Sequence, residues 1–197
     1  MRETIILDVE TSGLNDNENG LCSVAMKNPR SDDALYFTLK PLKNMKYEDE
    51  ALRVNGFNHD DLMRYGLFES EGVQLIIDFV RANYKTRPLI IGYNVGFDIG
   101  FLKAMFKRNG YEFFDFFSYE KVCVLMMARF MHYIDLYKFE NHKLTTVVKT
   151  LFPDMDLSEA HNSLFDVDIT QKVYDEFVYK IKGDGIYERK GEKTIFN

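Results

Sequence analysis

Short apolar runs alternate with amphipathic stretches along the chain, and their two periods separate strands from helices. Near the start, Thr4-Ile5-Ile6-Leu7-Asp8-Val9-Glu10 is almost continuously apolar, the pattern of a buried strand. Two more strands are predicted over Leu21–Met26 and Ala34–Leu39, joined by the turn-forming Asn28-Pro29-Arg30-Ser31-Asp32. A loop rich in Gly, Asn and Asp, Gly13 to Gly20, precedes them. Short helices are expected at Glu48–Val54 and Asp60–Tyr65, followed by an amphipathic helix turning Val73, Ile76, Ile77, Val80 and Tyr84 inward. Leu89–Tyr93 reads as a fourth strand, and Phe97–Asn109 has helical spacing. Beyond the aromatic stretch Tyr111–Tyr119, helices are predicted over Glu120–His132, Leu144–Phe152 and Ala160–Lys182. The last carries Phe165, Ile169, Val173, Phe177 and Ile181 as its core stripe. This order of elements is an α/β layout.

Four acids break the apolar pattern where core residues are expected. Side chains alternate along a strand, so Ile6, Asp8 and Glu10 share one face while Ile5, Leu7 and Val9 share the other. Asp98 heads an inward helical stripe completed by Phe101, Leu102 and Met105. Asp166 lies beside the N-terminal end of the last stripe, seven residues before Val173. Neighbouring carboxylates on a half-buried sheet repel each other and lose hydration, at a cost of several kcal/mol per ion unless a cation compensates. A hard divalent ion is the simplest remedy. His161 precedes Asp166 by five residues, a rotation of about 140° if both were helical. It is therefore placed in the loop leading into that helix or in its first turn, free to swing over the site.

At 197 residues, with no Pro/Gly/Ser-rich linker, the chain is expected to form one domain over residues 1–182 with a charged, mobile tail over 183–197. Cys22 and Cys123 give no disulfide framework and suit a reducing compartment. With neither a secretory leader pattern nor a run of eighteen apolar residues, the expected location is cytoplasmic, away from membranes. The net charge of −6 is unusual for a protein that grips phosphates with Lys and Arg. Much of it belongs to the four inward acids, and bound cations would supply the local positive field. If the chain handles nucleic acid, contact with few nucleotides, at an end more than along a duplex, is expected.

Taken together, Asp8-Val-Glu10-Thr-Ser-Gly13-Leu14, Asn94-Val-Gly-Phe97-Asp98 and His161-Asn-Ser-Leu-Phe-Asp166 resemble the three exonuclease motifs of the DnaQ-like, DEDDh family in order and spacing. The resemblance covers roughly residues 3–181. It implies a ribonuclease H-like fold, a five-stranded mixed sheet flanked by helices, that removes nucleotides from 3′ ends. Asp8, Glu10, Asp98 and Asp166 match the family's metal ligands and His161 its general base. Two divalent ions, Mg²⁺ or Mn²⁺, are implied as cofactors. Thr11 and Leu14 match positions that hold the terminal nucleotide and its base, and Asn94 and Phe97 of the second motif are added as substrate-binding candidates. Tyr93 stands where many members have His, and Cys123-Val124 where many have Asp-Thr; Cys123, Leu125 and Ala128-Arg129 look like the exonuclease X branch. The partners implied are single-stranded 3′ ends of DNA or RNA, and a polymerase or a replication or repair assembly. DNA is favoured over RNA as substrate, although discrimination at the sugar 2′ position rests on loop geometry.

Blander readings stand beside these. An isolated Asp-x-Glu is usually an exposed acidic edge, and only the three motifs in order displace that reading. His59, His132 and His142 are expected to be solvated or packed, and the aromatic stretch to be core or partner surface before it is a base-stacking platform. The functional alternative is a catalytically weak nucleic-acid binding module or polymerase-associated subunit on the same fold.

Overall fold

The computed structural model describes residues 2–31 and 33–183. Five strands form one mixed sheet: β1 (Thr4–Thr11), β2 (Leu21–Lys27), β3 (Ala34–Thr38), β4 (Leu89–Gly92) and β5 (Lys121–Cys123), in the order β3-β2-β1-β4-β5. The first three strands run antiparallel as consecutive neighbours, while β4 pairs parallel with β1 and β5 parallel with β4. Parallel strands need crossovers. That from β1 to β4 contains α1 (Asp49–Val54), α2 (His59–Tyr65) and α3 (Glu69–Asn83); that from β4 to β5 contains α4 (Gly96–Arg108). After β5 come α5 (Val124–Tyr133), α6 (Leu144–Leu151) and α7 (Ser163–Gly183).

Alternation along β1 divides the interior in two. Ile5, Leu7 and Val9 pack into a core with Val73, Ile76, Ile77 and Val80 of α3 and Phe101, Leu102, Met105 and Phe106 of α4. Ile6 packs on the opposite face with Val124, Ala128 and Met131 of α5, Val147 and Val148 of α6, and Val167, Ile169, Val173 and Phe177 of α7. Each fully buried aliphatic or Phe side chain contributes about 1.5–3 kcal/mol of transfer free energy, so α7 is firmly seated over the middle of the sheet. Asp8 and Glu10 follow Ile6 on that face, beneath the start of α7.

Two sequence expectations require correction. The helix predicted over Glu120–His132 is a three-residue strand, Lys121–Cys123, followed by a helix that starts at Val124. A three-residue strand is too short to show alternation, and its conformation is set by β4, against which Lys121, Val122 and Cys123 register. The last helix starts at Ser163 rather than Ala160, because His161 adopts a left-handed backbone (φ 73°) and the Asn162 side chain accepts from the Leu164 N–H at 3.1 Å. That is an N-cap. The helix α7 ends at Gly183, at the expected start of the tail, and 184–197 lie outside the described residues. In the aromatic stretch, Phe113 and Phe117 are buried and stacked with centroids 4.6 Å apart, whereas Tyr111 and Tyr119 are exposed.

Candidate active site

Three chain segments meet at one end of the sheet. The strand β1 supplies Asp8 and Glu10 and breaks register with β2 between Glu10 and Thr11. Its partner β4 stops at Gly92, where a Cβ would come 2.7 Å from the Leu7 carbonyl oxygen and 2.8 Å from Val95 Cγ2. Only glycine fits there. Two residues later Asn94 takes a left-handed backbone (φ 58°), a conformation Asn tolerates better than most residues. The chain thus turns sharply into α4, and the turn brings Asp98 back against β1.

Asp98 is 3% exposed, and its Oδ1 accepts the Val9 N–H at 3.1 Å. The oxygens of Asp8, Glu10 and Asp166 lie within 4.8 Å of one another. Asp98 is not part of that trio, although its charge is among those that perturb Asp8. Asp166 is positioned by α7, whose first turn is closed by the Asp166 N–H donating to the Asn162 carbonyl at 2.8 Å. Behind it, the buried Ser23 and Ser163 hydroxyls share a hydrogen bond of 2.9 Å that pins the helix start to β2. His161 is exposed, and its backbone N–H donates to Asp166 Oδ2 at 3.3 Å.

The electrostatics are those of anions held too close together. Burial raises the Glu10 carboxyl to about 8, with Asp166 and Asp98 pushing the same way. Asp98 rises to about 7 by burial, opposed by its hydrogen bond from Val9. Asp166 rises to about 6 by burial, opposed by the nearby His161 and its backbone N–H. Asp8 moves well above the usual carboxylate range, through burial first and then through Asp98, Glu10 and Asp166. Asp166 Oδ1 is buried without a hydrogen-bond partner. Clustered hard oxygen donors, one of them unsatisfied, fit a divalent cation such as Mg²⁺ or Mn²⁺.

The substrate-binding candidates lie within four residues of these acids along the chain. Leu14 is 86% exposed in the loop after β1. Thr11 is buried and donates its hydroxyl to the Gly13 carbonyl at 2.7 Å, shaping that loop. Phe97 is half-buried against Phe101, with centroids 4.9 Å apart. Asn94 is exposed, and its carbonyl accepts the Phe97 N–H at 2.9 Å. The sequence reading missed a cleft in which His161 and Asn162 face Tyr36, Asn55, Gly56 and Phe57. Asn55 Nδ2 also donates to the Thr11 carbonyl at 3.0 Å. Nothing in the local pattern of Val54-Asn55-Gly56-Phe57 announces this role, because only the fold of the β1–β4 crossover brings α1 to the site.

The protein-family model described as Exonuclease (RNase_T) matches residues 5–174. Ribonuclease T of Shewanella denitrificans is 25% identical over 196 residues, an alignment covering 92% of this chain and 82% of that protein. Ribonuclease T of Escherichia coli strain K12 is 25% identical over 195 residues, covering 90% and 85%. Among solved structures, E. coli exonuclease I in complex with a dT13 oligonucleotide superposes with a TM-score of 0.77 at 18% identity, over 95% of this chain and 43% of that chain. Its zinc-bound complex with single-stranded DNA gives 0.76 at 18% identity, over 95% and 42%. The chain therefore spans less than half the length of those exonuclease I chains. No helix among the described residues is long and apolar enough to cross a membrane.

Proposed function

The chain belongs to the exonuclease family of DnaQ-like, DEDDh type, and from that premise we propose that it removes nucleotides one at a time from the 3′ ends of single-stranded nucleic acid by metal-dependent hydrolysis. The observation that carries this reading is the convergence of the Asp8, Glu10 and Asp166 oxygens within 4.8 Å. These three residues would hold one divalent ion, and Asp8 with Asp98 a second. When bound, such ions neutralise the phosphate's developing charge and acidify water.

The protein's own groups complete the chemistry. His161, exposed on its left-handed turn beside Asp166, takes the proton from the attacking water at a ring nitrogen and releases it to solvent. Its exposure suits that role, since the ring can exchange protons with bulk water. Asp98 fixes the end of β1 through the Val9 N–H and so sets the spacing of Asp8 and Glu10. Leu14 and Phe97 offer apolar surfaces to the terminal bases, while Asn94 and Thr11 shape the turns that present them. An end-directed site is consistent with a net charge of −6, because the cluster needs purchase on only a few phosphates.

We place DNA ahead of RNA; support comes from the solved structures of similar fold, which hold deoxyoligonucleotides. RNA is the second reading, favoured by the name of the sequence relatives, ribonuclease T. Matched 5′-labelled DNA and RNA oligomers, single and double stranded, incubated with Mg²⁺ or Mn²⁺, test both. The expected result is a ladder shortening from the unlabelled end, faster on DNA. Internal cuts in a circular single strand, or no cleavage with either metal, would overturn the exonuclease reading.

A further inference from the structure

A strand whose 3′ end sits among these acids must leave the site along some surface, and the outward face of α4 has the chemistry for it. Gly96, Gly100, Lys103 and Lys107 share one face of that helix. They begin two residues from Asp98 and lead away from it. Lys103 and Lys107 are exposed and one turn apart, about 6 Å along the axis, close to the separation of neighbouring phosphates on an extended strand. Lys103 Nζ sits 5.3 Å from the Phe114 ring centroid, and Phe114 stacks on Tyr119 with centroids 4.2 Å apart and planes 26° from parallel. Tyr119 is nevertheless 71% exposed.

The face is joined to the site by the loop after β1. At Gly100 an added Cβ would come 2.8 Å from Asp16 Oδ2, so the loop bearing the exposed Leu14 rests directly on the helix. Beyond that point a cleft opens, bordered by Lys103, Lys107, Tyr111 and Phe114. A solvated helix face would account for two lysines. It would not account for the exposed Tyr119 ring stacked on the half-buried Phe114 with the Lys103 ammonium over the latter. Lysines interleaved with aromatic rings are the composition of a single-strand track: rings stack on bases of any sequence, and ammonium groups meet phosphates. Asp16 and Glu112 also border the cleft, and their carboxylates would weaken its hold on phosphates.

We infer that the α4 face formed by Lys103, Lys107 and the Phe114–Tyr119 ring pair binds the 5′-ward part of a single-stranded nucleic acid whose 3′ end occupies the acid cluster. This rests on the exonuclease reading for its direction, but binding can be measured without turnover. Anisotropy of a 5′-labelled dodecameric oligo-dT is titrated with the full chain in EDTA, alongside the double variant K103E/K107E and Tyr119→Ala. All three side chains are exposed, and an unchanged thermal midpoint confirms folding. The double variant should bind at least tenfold more weakly and show a shallower salt dependence, its slope reduced by about 0.7 for each phosphate no longer neutralised; Tyr119→Ala should bind about fivefold more weakly. Affinities within twofold of the parent for both variants would overturn the track.

Turnover with Mg²⁺ then compares the dodecamer with a dinucleotide, whose single linkage leaves no phosphate to reach Lys103, about 8 Å along the axis from Asp98. The KM increase in K103E/K107E should be at least fivefold greater for the dodecamer, whereas equal increases for both lengths would also overturn it. If the parent chain binds the dodecamer through Lys103 and Lys107 but cleaves neither length, the exonuclease reading fails and the binding face stands.

Discussion

Replacing Glu10 by Gln removes one member of a crowded anion cluster, and the structure fixes the pH at which this should matter. The Glu10 carboxyl lies at about 8 in the folded protein against an ordinary 4.5, with burial as the main cause. The folded chain therefore holds that proton through a range in which the unfolded chain has released it, so stability falls as pH rises from about 4.5 to about 8. At about 1.4 kcal/mol per pH unit, the full displacement sets a ceiling of about 5 kcal/mol. Asp166 and Asp98 share the repulsion and the site can relax, so about 2 kcal/mol is the expected gain for Glu10→Gln at pH 8.5 in EDTA. For a domain of this size that is about 4–8 °C in midpoint. Calorimetric or circular-dichroism melts of both proteins at about pH 4.5 and about pH 8.5 provide the assay. Excess Mg²⁺ should reverse the order at high pH, because the parent gains binding energy that the variant lacks. A midpoint difference of the same size at both pH values, or a variant less stable than the parent in EDTA at high pH, would refute the account of a strained carboxylate cluster.

Other substitutions probe separate parts of the arrangement. His161→Ala should lower kcat by about 10²–10⁴-fold without changing the melting midpoint, since the side chain is exposed. Its remaining acid limb should move to lower pH as Mg²⁺ is raised, because protons and metal compete for the carboxylates; a limb indifferent to metal in both proteins would count against this division of roles. Gly92→Ala should cost about 1–3 kcal/mol and weaken Mg²⁺ binding, since its Cβ would meet the Leu7 carbonyl at 2.7 Å; a variant with normal metal affinity by calorimetry would show that the turn into α4 is more forgiving than argued. Ser23→Ala should cost about 1–3 kcal/mol by leaving the Ser163 hydroxyl buried without its partner, measurable by denaturant unfolding.

The periodic parts of the fold were legible in sequence. The strands β1 to β4 and the helices α3, α4 and α7 are long or apolar enough that burial follows the pattern, and Asp98, Phe101, Leu102 and Met105 are buried together as their spacing requires. The strand β5 was not legible, because a three-residue segment takes its conformation from the neighbour with which it pairs. The acids could be recognised by their position, but not the compactness of the Asp8, Glu10 and Asp166 trio relative to Asp98. That distinction arises where α4 and α7 land on the sheet. The left-handed backbones at Asn94 and His161 were equally hidden, being imposed by the close approach of chain segments far apart in sequence. The contribution of Asn55 belongs to the same class.

Beyond Ile6, the last β1 residue in register with β4, the Val9 amide gives its hydrogen to a side chain, Asp98, in place of a neighbouring strand. A carboxylate thus stands in for missing backbone at the mouth of the site. The deuterium uptake of this one amide, or its cross-peak in a nitrogen-15 spectrum, becomes a gauge of whether that carboxylate is at its post. Loading the centre with Mg²⁺ can be followed there without any nucleic acid present, residue by residue and in real time.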